Sequence, residues 1–419
     1  MLATASTATA QAAAPSAGAA AAAAQGDPQA SAAPTPRRTP VPANARVLFL
    51  RVDFPDQPST RPWSDFQNAS RSGYIDRLVS YYDEVSSRRF HIEPIVAKKV
   101  YTLPRKRAAY VSQPGAMIRD ALELASAPEP KGERELVHAA RPEIVVVLFA
   151  GPGAESDIKK QAKGLPWSNA VEGPGFARAG DKLISRGMVV AEDPFPPLSP
   201  FGVMAHEFGH VLGLPELYAP NKRHEGIGIW GLMGQGTWVG LGDSPPHLSA
   251  WSKLTLGWVD PIIVDRTQRV ELPSVSRSAQ VVKIYAKGPH EPWEYFLIEN
   301  REQRGADRRI PAPGLLIWHV DERLTSYRRS QDDVNHKRVD LLTADSWPSH
   351  LDIGHAHGGN RGDKGDPWAN RKHGPGPDTQ PSTNAYDGTR GRFRIENISP
   401  PGEVMTFDVI FEDDAASGR

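Results

Sequence analysis

Apolar positions along this chain fall first into short, nearly unbroken runs. Val47-Leu48-Phe49-Leu50-Arg51-Val52-Asp53-Phe54 ends at Pro55 and predicts a buried strand. Ile144-Val145-Val146-Val147-Leu148-Phe149-Ala150 is the strongest such run, closed by Gly151-Pro152-Gly153. Phe90 to Tyr101 and Leu183 to Ala191 also read as strands. Between them the period changes. Ile75, Leu78, Tyr82 and Val85 recur at helical spacing, which predicts a helix over Tyr74–Val85. A second helix is expected from Gly115 to Ala125, and a third from about Gly202 to Leu212, stopped by Gly213. After Trp258 short β-like runs take over at Val281–Tyr285, Glu294–Glu299, Gly314–Val320 and Val404–Phe411. His350 to Asp378, rich in Gly, His, Asp and Pro, reads as a long surface loop. There is no internal repeat.

The pattern predicts an α/β (α+β) fold in which a mixed sheet backs the third helix, followed by a β-rich C-terminal portion. Residues 45–260 form the first unit and 261–412 the β-rich part of the same unit, with 413–419 as a tail. Residues 1–44 are almost entirely Ala, Ser, Thr, Pro, Gly and Gln. Three readings of that segment stand: a weak signal peptide without a basic n-region, a linker, or a plain low-complexity tail. No run of about 18 apolar residues exists, so no membrane-spanning helix is expected.

Composition narrows the chemistry. Lys+Arg and Asp+Glu are both 49, which argues against general electrostatic binding of nucleic acid or anionic membrane. Cys is 0, which excludes disulfides, a thiol nucleophile and cysteine-ligated metal.

The third helix carries the decisive string, His206-Glu207-Phe208-Gly209-His210. Residues i and i+4 lie on one helix face, so His206 and His210 present two imidazoles to one point, as a tetrahedral Zn²⁺ requires. Glu207, beside them, is placed to act as general base on water and then as proton donor to a leaving amine. A catalytic zinc needs a third protein ligand. Gly213 ends the helix sharply, and the chain returns through Leu214-Pro215 to Glu216, ten positions after His206. Further on, Met233 lies in the Gly-flanked segment Trp230–Trp238, suited to an apolar floor under the imidazoles.

These motifs resemble the immune inhibitor A-like zinc metallopeptidases, a metzincin-related family. The likeness extends to Val47–Pro58, Tyr81–Phe90, His206–Tyr218, Ile229–Trp238, His247–Trp258, Glu294–Arg301, Gly314–Glu322, Gly365–Trp368 and Ile395–Ser399, covering about residues 45–412. It implies a metzincin-like fold, a secreted endopeptidase acting on proteins or peptides, one catalytic zinc and structural calcium. By position, His206 and His210 match the histidine ligands, Glu207 the base and Met233 the Met-turn. Two positions depart from the pattern. Glu216 stands where the family has aspartate, and Ala219 where aspartate is common, which removes an expected support for the ligand.

Tyr218 is either an oxyanion donor or a packed aromatic. His247 and His319 are expected as core histidines, with His247 an alternative ligand. Asp321, Glu322, Asp363 and Asp366 are candidate calcium donors, without EF-hand spacing. His355 and His357 suit only adventitious metal. The function expected is a monomeric, secreted, zinc-dependent endopeptidase. The competing readings are a non-catalytic binding module on a degenerate peptidase scaffold, and a zinc amidohydrolase acting on a non-peptide amide.

Overall fold

The first strand, β1 (Asn44–Asp53), splits its side chains between two layers. Val47 and Phe49 face one apolar cluster, while Leu48, Leu50 and Val52 face another. Burial on both faces is why the run lacks polar alternation. The computed structural model describes residues 42–157, 162–326, 329–345 and 348–412. Nearly all of the N-terminal low-complexity segment, and all of the tail from 413, lie outside them.

In chain order, β1 is followed by α1 (Tyr74–Val85), β2 (His91–Thr102), α2 (Pro114–Ala125), α3 (Arg134–Ala140), β3 (Ile144–Phe149), β4 (Asn169–Ala179), β5 (Lys182–Ala191) and α4 (Phe201–Val211). The strands form one mixed sheet ordered β2-β1-β3-β5-β4, in which β4 alone runs antiparallel to its neighbour. Helices α1 and α4 supply residues to the cluster on one face, and α2 and α3 to the cluster on the other.

After α5 (Ala250–Thr255) come β6 (Asp260–Ile263), β7 (Gln268–Pro273), β8 (Gln280–Tyr285), β9 (Glu294–Arg301), β10 (Gly314–Asp321), β11 (Val339–Leu342), β12 (Arg371–His373), β13 (Phe393–Ile398) and β14 (Val404–Phe411). They make two further sheets, ordered β11-β10-β9-β8-β6 and β12-β13-β14-β7. The middle sheet is covered on both sides. Leu297, Leu316, Trp318 and Val320 join the cluster that holds α1, α4 and α5. Phe296, Ile298, Leu315 and Ile317 pack instead against Phe393, Phe407 and Val409 of the third sheet. Every residue of β9 and β10 is accordingly buried. The described residues fall within one compact unit, Pro40–Arg419.

The mixed α/β architecture is the one the pattern predicts. The segment His350–Asp378 is mostly irregular, as expected, but it carries two 3₁₀ turns and the short strand β12. Strands β4, β6, β7, β11 and β13 and helix α3 have no counterpart among the expected elements. Strand β4 contains Glu172-Gly173-Pro174-Gly175, a loop-like string, and its register with β5 shifts between Glu172 and Ala177. The flanking ladder holds the strand across that interruption. No helix among the described residues is long and apolar enough to cross a membrane.

Candidate metal centre

Helix α4 is apolar almost all round, with nine of its residues buried. A helix of that kind belongs in a core, where its few polar groups need partners. Its C-terminus explains how the chain turns back. Gly213 has φ 94°, a left-handed conformation that glycine adopts without a Cβ clash. Gly213 N donates to His210 O at 2.8 Å and Leu214 N to Gly209 O at 3.1 Å, the paired bonds of a Schellman stop. Leu217 N then donates to Met233 O at 2.8 Å, which ties the returning segment to the floor beneath the helix.

That turn brings Glu216 to both histidines. His206 Nε2 lies 3.3 Å from Glu216 Oε2, and His210 Nε2 lies 3.2 Å from Glu216 Oε1. The three side chains each offer one donor atom, all within 4.8 Å of one another. The second ring nitrogens are engaged elsewhere. His206 Nδ1 is 3.0 Å from Leu232 O and 2.9 Å from Thr237 Oγ1, and His210 Nδ1 is 2.8 Å from Leu214 O. An Nδ1–H donated to a carbonyl leaves Nε2 as the lone-pair nitrogen, aimed at Glu216.

Electrostatics follow the geometry. Burial lowers the His206 pKa, but the Glu216 carboxylate outweighs it and raises the pKa to about 9. Burial pushes Glu216 up, and the two imidazoles overcome that, holding its carboxyl well below the usual range. Two imidazole nitrogens and one carboxylate, whose Oε2 is buried without a hydrogen-bond partner, fit a tetrahedral zinc set with a position left for water.

Glu207 stands beside this group but outside it. Its carboxylate accepts no hydrogen bond from any described residue, and burial pushes its pKa above the ordinary carboxylate value. Met233 is fully buried under α4. A Cβ at Gly209 would lie 2.5 Å from its sulfur, so the glycine inside the histidine motif is what lets Met233 approach the helix.

Tyr218, read either as an oxyanion donor or as a packed aromatic, stacks at 6.4 Å on the His206 ring. Its hydroxyl donates to Glu216 Oε1 at 2.8 Å. Burial and the Glu216 charge raise its pKa, so the phenol stays protonated as a donor. Tyr218 thereby gives Glu216 a support, while Ala219 is buried and offers no polar group. Replacing Tyr218 with Phe should weaken zinc affinity by about 10–100-fold. Competition against a chromophoric chelator measures this, and an unchanged affinity would remove Tyr218 from the site.

His247 lies apart from the three donors; it is fully buried, with Nε2 3.3 Å from Glu84 Oε1. His319 is buried, 3.0 Å from Glu294 Oε1 and stacked on Phe296 and Tyr386. Asp321 is taken up by Arg323 and His336, and Glu322 by Trp251, Tyr295 and Arg338. These partners engage both carboxylates within the protein. His355 and His357 sit in a 3₁₀ turn. Thr237 and the carbonyls of Leu232 and Leu214 escaped the sequence reading. Backbone acceptors leave no residue-type signal, and a lone Thr after a Met-turn resembles any other.

Comparison with known proteins adds an independent line. Residues 177–258 match the model of the immune inhibitor A peptidase M6 catalytic domain. Immune inhibitor A of Bacillus thuringiensis subsp. alesti is 29% identical over 241 residues, 46% of this chain and 34% of that protein. The pre-pro-metalloprotease PrtV of Vibrio cholerae serotype O1 is 41% identical over 56 residues, 12% of this chain and 6% of that protein. This chain thus spans about a third or less of the curated relatives it matches. Catalytically inactive OgpA from Akkermansia muciniphila, solved with an O-glycopeptide substrate, covers 68% of this chain and 84% of that one. At 15% identity and a TM-score of 0.31 that likeness carries no argument. The resemblance to the immune inhibitor A-like metallopeptidases is borne out by the match over α4, Glu216 and the Met233 turn.

Proposed function

Taking residues 177–258 as a peptidase M6 catalytic segment, we propose that this chain is a zinc-dependent endopeptidase of metzincin type, exported from the cell. One observation carries the reading: His206, His210 and Glu216 converge while the neighbouring Glu207 carboxylate remains without a hydrogen-bond partner among the described residues. The relatives' names, an immune inhibitor and a pre-pro-metalloprotease, agree with action on proteins. Residues 45–260 and 261–412 act as one peptidase body, supported by the apolar cluster that α4 and α5 share with the middle sheet.

His206 and His210 hold the metal through Nε2, and Glu216 holds it through its carboxylate. Zinc, when bound, supplies Lewis acidity that polarises a scissile carbonyl and acidifies water. Glu207 takes the proton of the attacking water and returns it to the leaving amine. Its pKa, raised by burial, makes the carboxylate a stronger base for the first half of that task. Leu232 O, Thr237 and Leu214 O keep both rings in place, and Met233 closes the space beneath them.

Removing metal tests the reading. Dialysis against a chelator should abolish casein hydrolysis, and one equivalent of Zn²⁺ should restore it. Hydrolysis that survives complete zinc removal would end the assignment. A chain that binds one zinc yet cleaves neither casein nor peptides would favour the binding-module alternative.

A further inference from the structure

The third donor, Glu216, stands on a returning segment that belongs to no helix or strand. In such a segment a side chain is aimed by whatever fixes the neighbouring peptide planes. Leu217 lies between Glu216 and Tyr218 and is fully buried. Leu217 N donates to Met233 O at 2.8 Å, which fixes the plane on the Glu216 side. Leu217 O, on the Tyr218 side, accepts from Ile227 N at 3.0 Å and from Gln331 Nε2 at 3.3 Å. Gly226 lets the chain close over that oxygen: its φ is 61°, and a Cβ there would lie 2.1 Å from Leu217 O.

Gln331 comes from far along the chain, between β10 and β11, and is buried. Its amide is fully engaged. Nε2 also donates to Val339 O at 2.8 Å, and Oε1 accepts from Val339 N at 3.0 Å. Turned over, the amide would set its oxygen against two carbonyls, so one orientation is fixed. The two bonds to Val339 anchor the side chain to the first residue of β11, which pairs with Val320 of β10. The middle sheet thereby reaches Leu217 O through a single side chain. A second link runs beside it, where Asn221 Nδ2 donates to Asp332 O at 3.3 Å.

We propose that Gln331 is a positioning residue for the metal centre, holding the Leu217 carbonyl so that Glu216 and Tyr218 keep their places on either side of it. The inference rests on the zinc reading above and extends it into the β-rich part of the chain. With both of its peptide planes pinned, Leu217 has its φ and ψ set, and the directions of Glu216 and Tyr218 are set with them. Glu216 then meets Nε2 of both histidines, and the Tyr218 hydroxyl reaches Glu216 Oε1 at 2.8 Å. Without Gln331, Leu217 O keeps Ile227 N, so the segment stays folded while the aim of its ligand loosens.

The test uses the full chain and Zn²⁺ alone, with affinity read by competition against a chromophoric chelator. Gln331→Met keeps the side chain's length and removes its amide. It should weaken zinc binding by about 3–10-fold, the worth of one ordinary hydrogen bond. In a Glu216→Ala background the same change should leave the remaining affinity unaltered, because Gln331 acts through that carboxylate. Melting of the zinc-free forms records the structural cost of the lost Val339 bonds separately. Should Gln331→Met not fold, Gln331→Asn takes its place; one methylene shorter, it keeps an amide beside Val339 but falls short of Leu217 O. An unchanged affinity, or an equal loss with and without Glu216, overturns the proposal and leaves the metal reading intact. A parent chain that binds no zinc overturns both.

Discussion

Replacing Glu207 with Gln is expected to leave one zinc bound and to lower kcat by about 10²–10⁴-fold, the usual contribution of a positioned general base. The substitution keeps the side chain's length and shape. Glu207 accepts no hydrogen bond from any described residue, so its loss orphans no protein donor. The three converging donors are His206, His210 and Glu216, and none is altered. Metal analysis beside hydrolysis of a fluorogenic peptide separates the two effects. A variant that retains full kcat would show that Glu207 is not the base. A variant that loses its zinc would show that the carboxylate belongs to the ligand set. Should the parent itself cleave no peptide but open other amides, a substrate panel would identify the amidohydrolase reading.

The second large effect concerns stability. Asp307→Asn should destabilise the fold by about 3–5 kcal/mol, the cost of breaking a buried ion pair from one side. Arg301 and Asp307 are both fully buried and joined by two parallel hydrogen bonds. Asp307 Oδ1 also accepts from His247 N at 2.9 Å, and Arg301 Nη1 donates to Trp230 O at 2.9 Å. The pair therefore links β9 to the stretches on either side of the Met233 turn. Without the Asp307 charge, Arg301 keeps the Trp230 carbonyl and, as its ion-pair partner among the described residues, Glu299, which Lys253 shares at 3.7 Å. Urea unfolding followed by tryptophan fluorescence measures the loss, and a difference below about 1 kcal/mol would contradict it.

The pH dependence of that difference has a definite sign. Burial raises the Asp307 pKa, but Arg301 outweighs burial and lowers it to about 2. The unfolded value is about 3.9. A depressed folded pKa means that the contribution is complete above pH of about 4 and is lost as pH falls toward 2. The parent's advantage over Asp307→Asn should be flat at neutral pH and shrink by about 2 kcal/mol in acid. Lys253 acts oppositely: burial lowers its pKa to about 8, so its cost is full below pH 8 and relieved above.

Much of the fold was legible because its strands are either half-buried or wholly buried. The helix over Tyr74–Val85 and the strand over Val404–Phe411 run over the residues that the periodicity predicts. The strands that escaped are short or weakly apolar. β11 has four residues and β12 three, and β4 is interrupted by Gly173-Pro174-Gly175. Neighbouring strands hold such segments extended through ladder hydrogen bonds, which the local sequence does not record.

The sequence by itself determined what local spacing can determine. Two histidines four apart share a helix face, a glycine at 213 reverses the chain, and an acid soon after can return to the pair. Those relations span ten residues and follow from helix geometry. Tertiary structure decided everything that depends on distant groups meeting. It set Tyr218 on Glu216, Thr237 on His206 and the Met233 sulfur against Gly209. It also buried Arg301 with Asp307 and brought the Gln331 amide to Leu217 O. Such contacts arise from packing between segments whose own residues carry no sign of the partner.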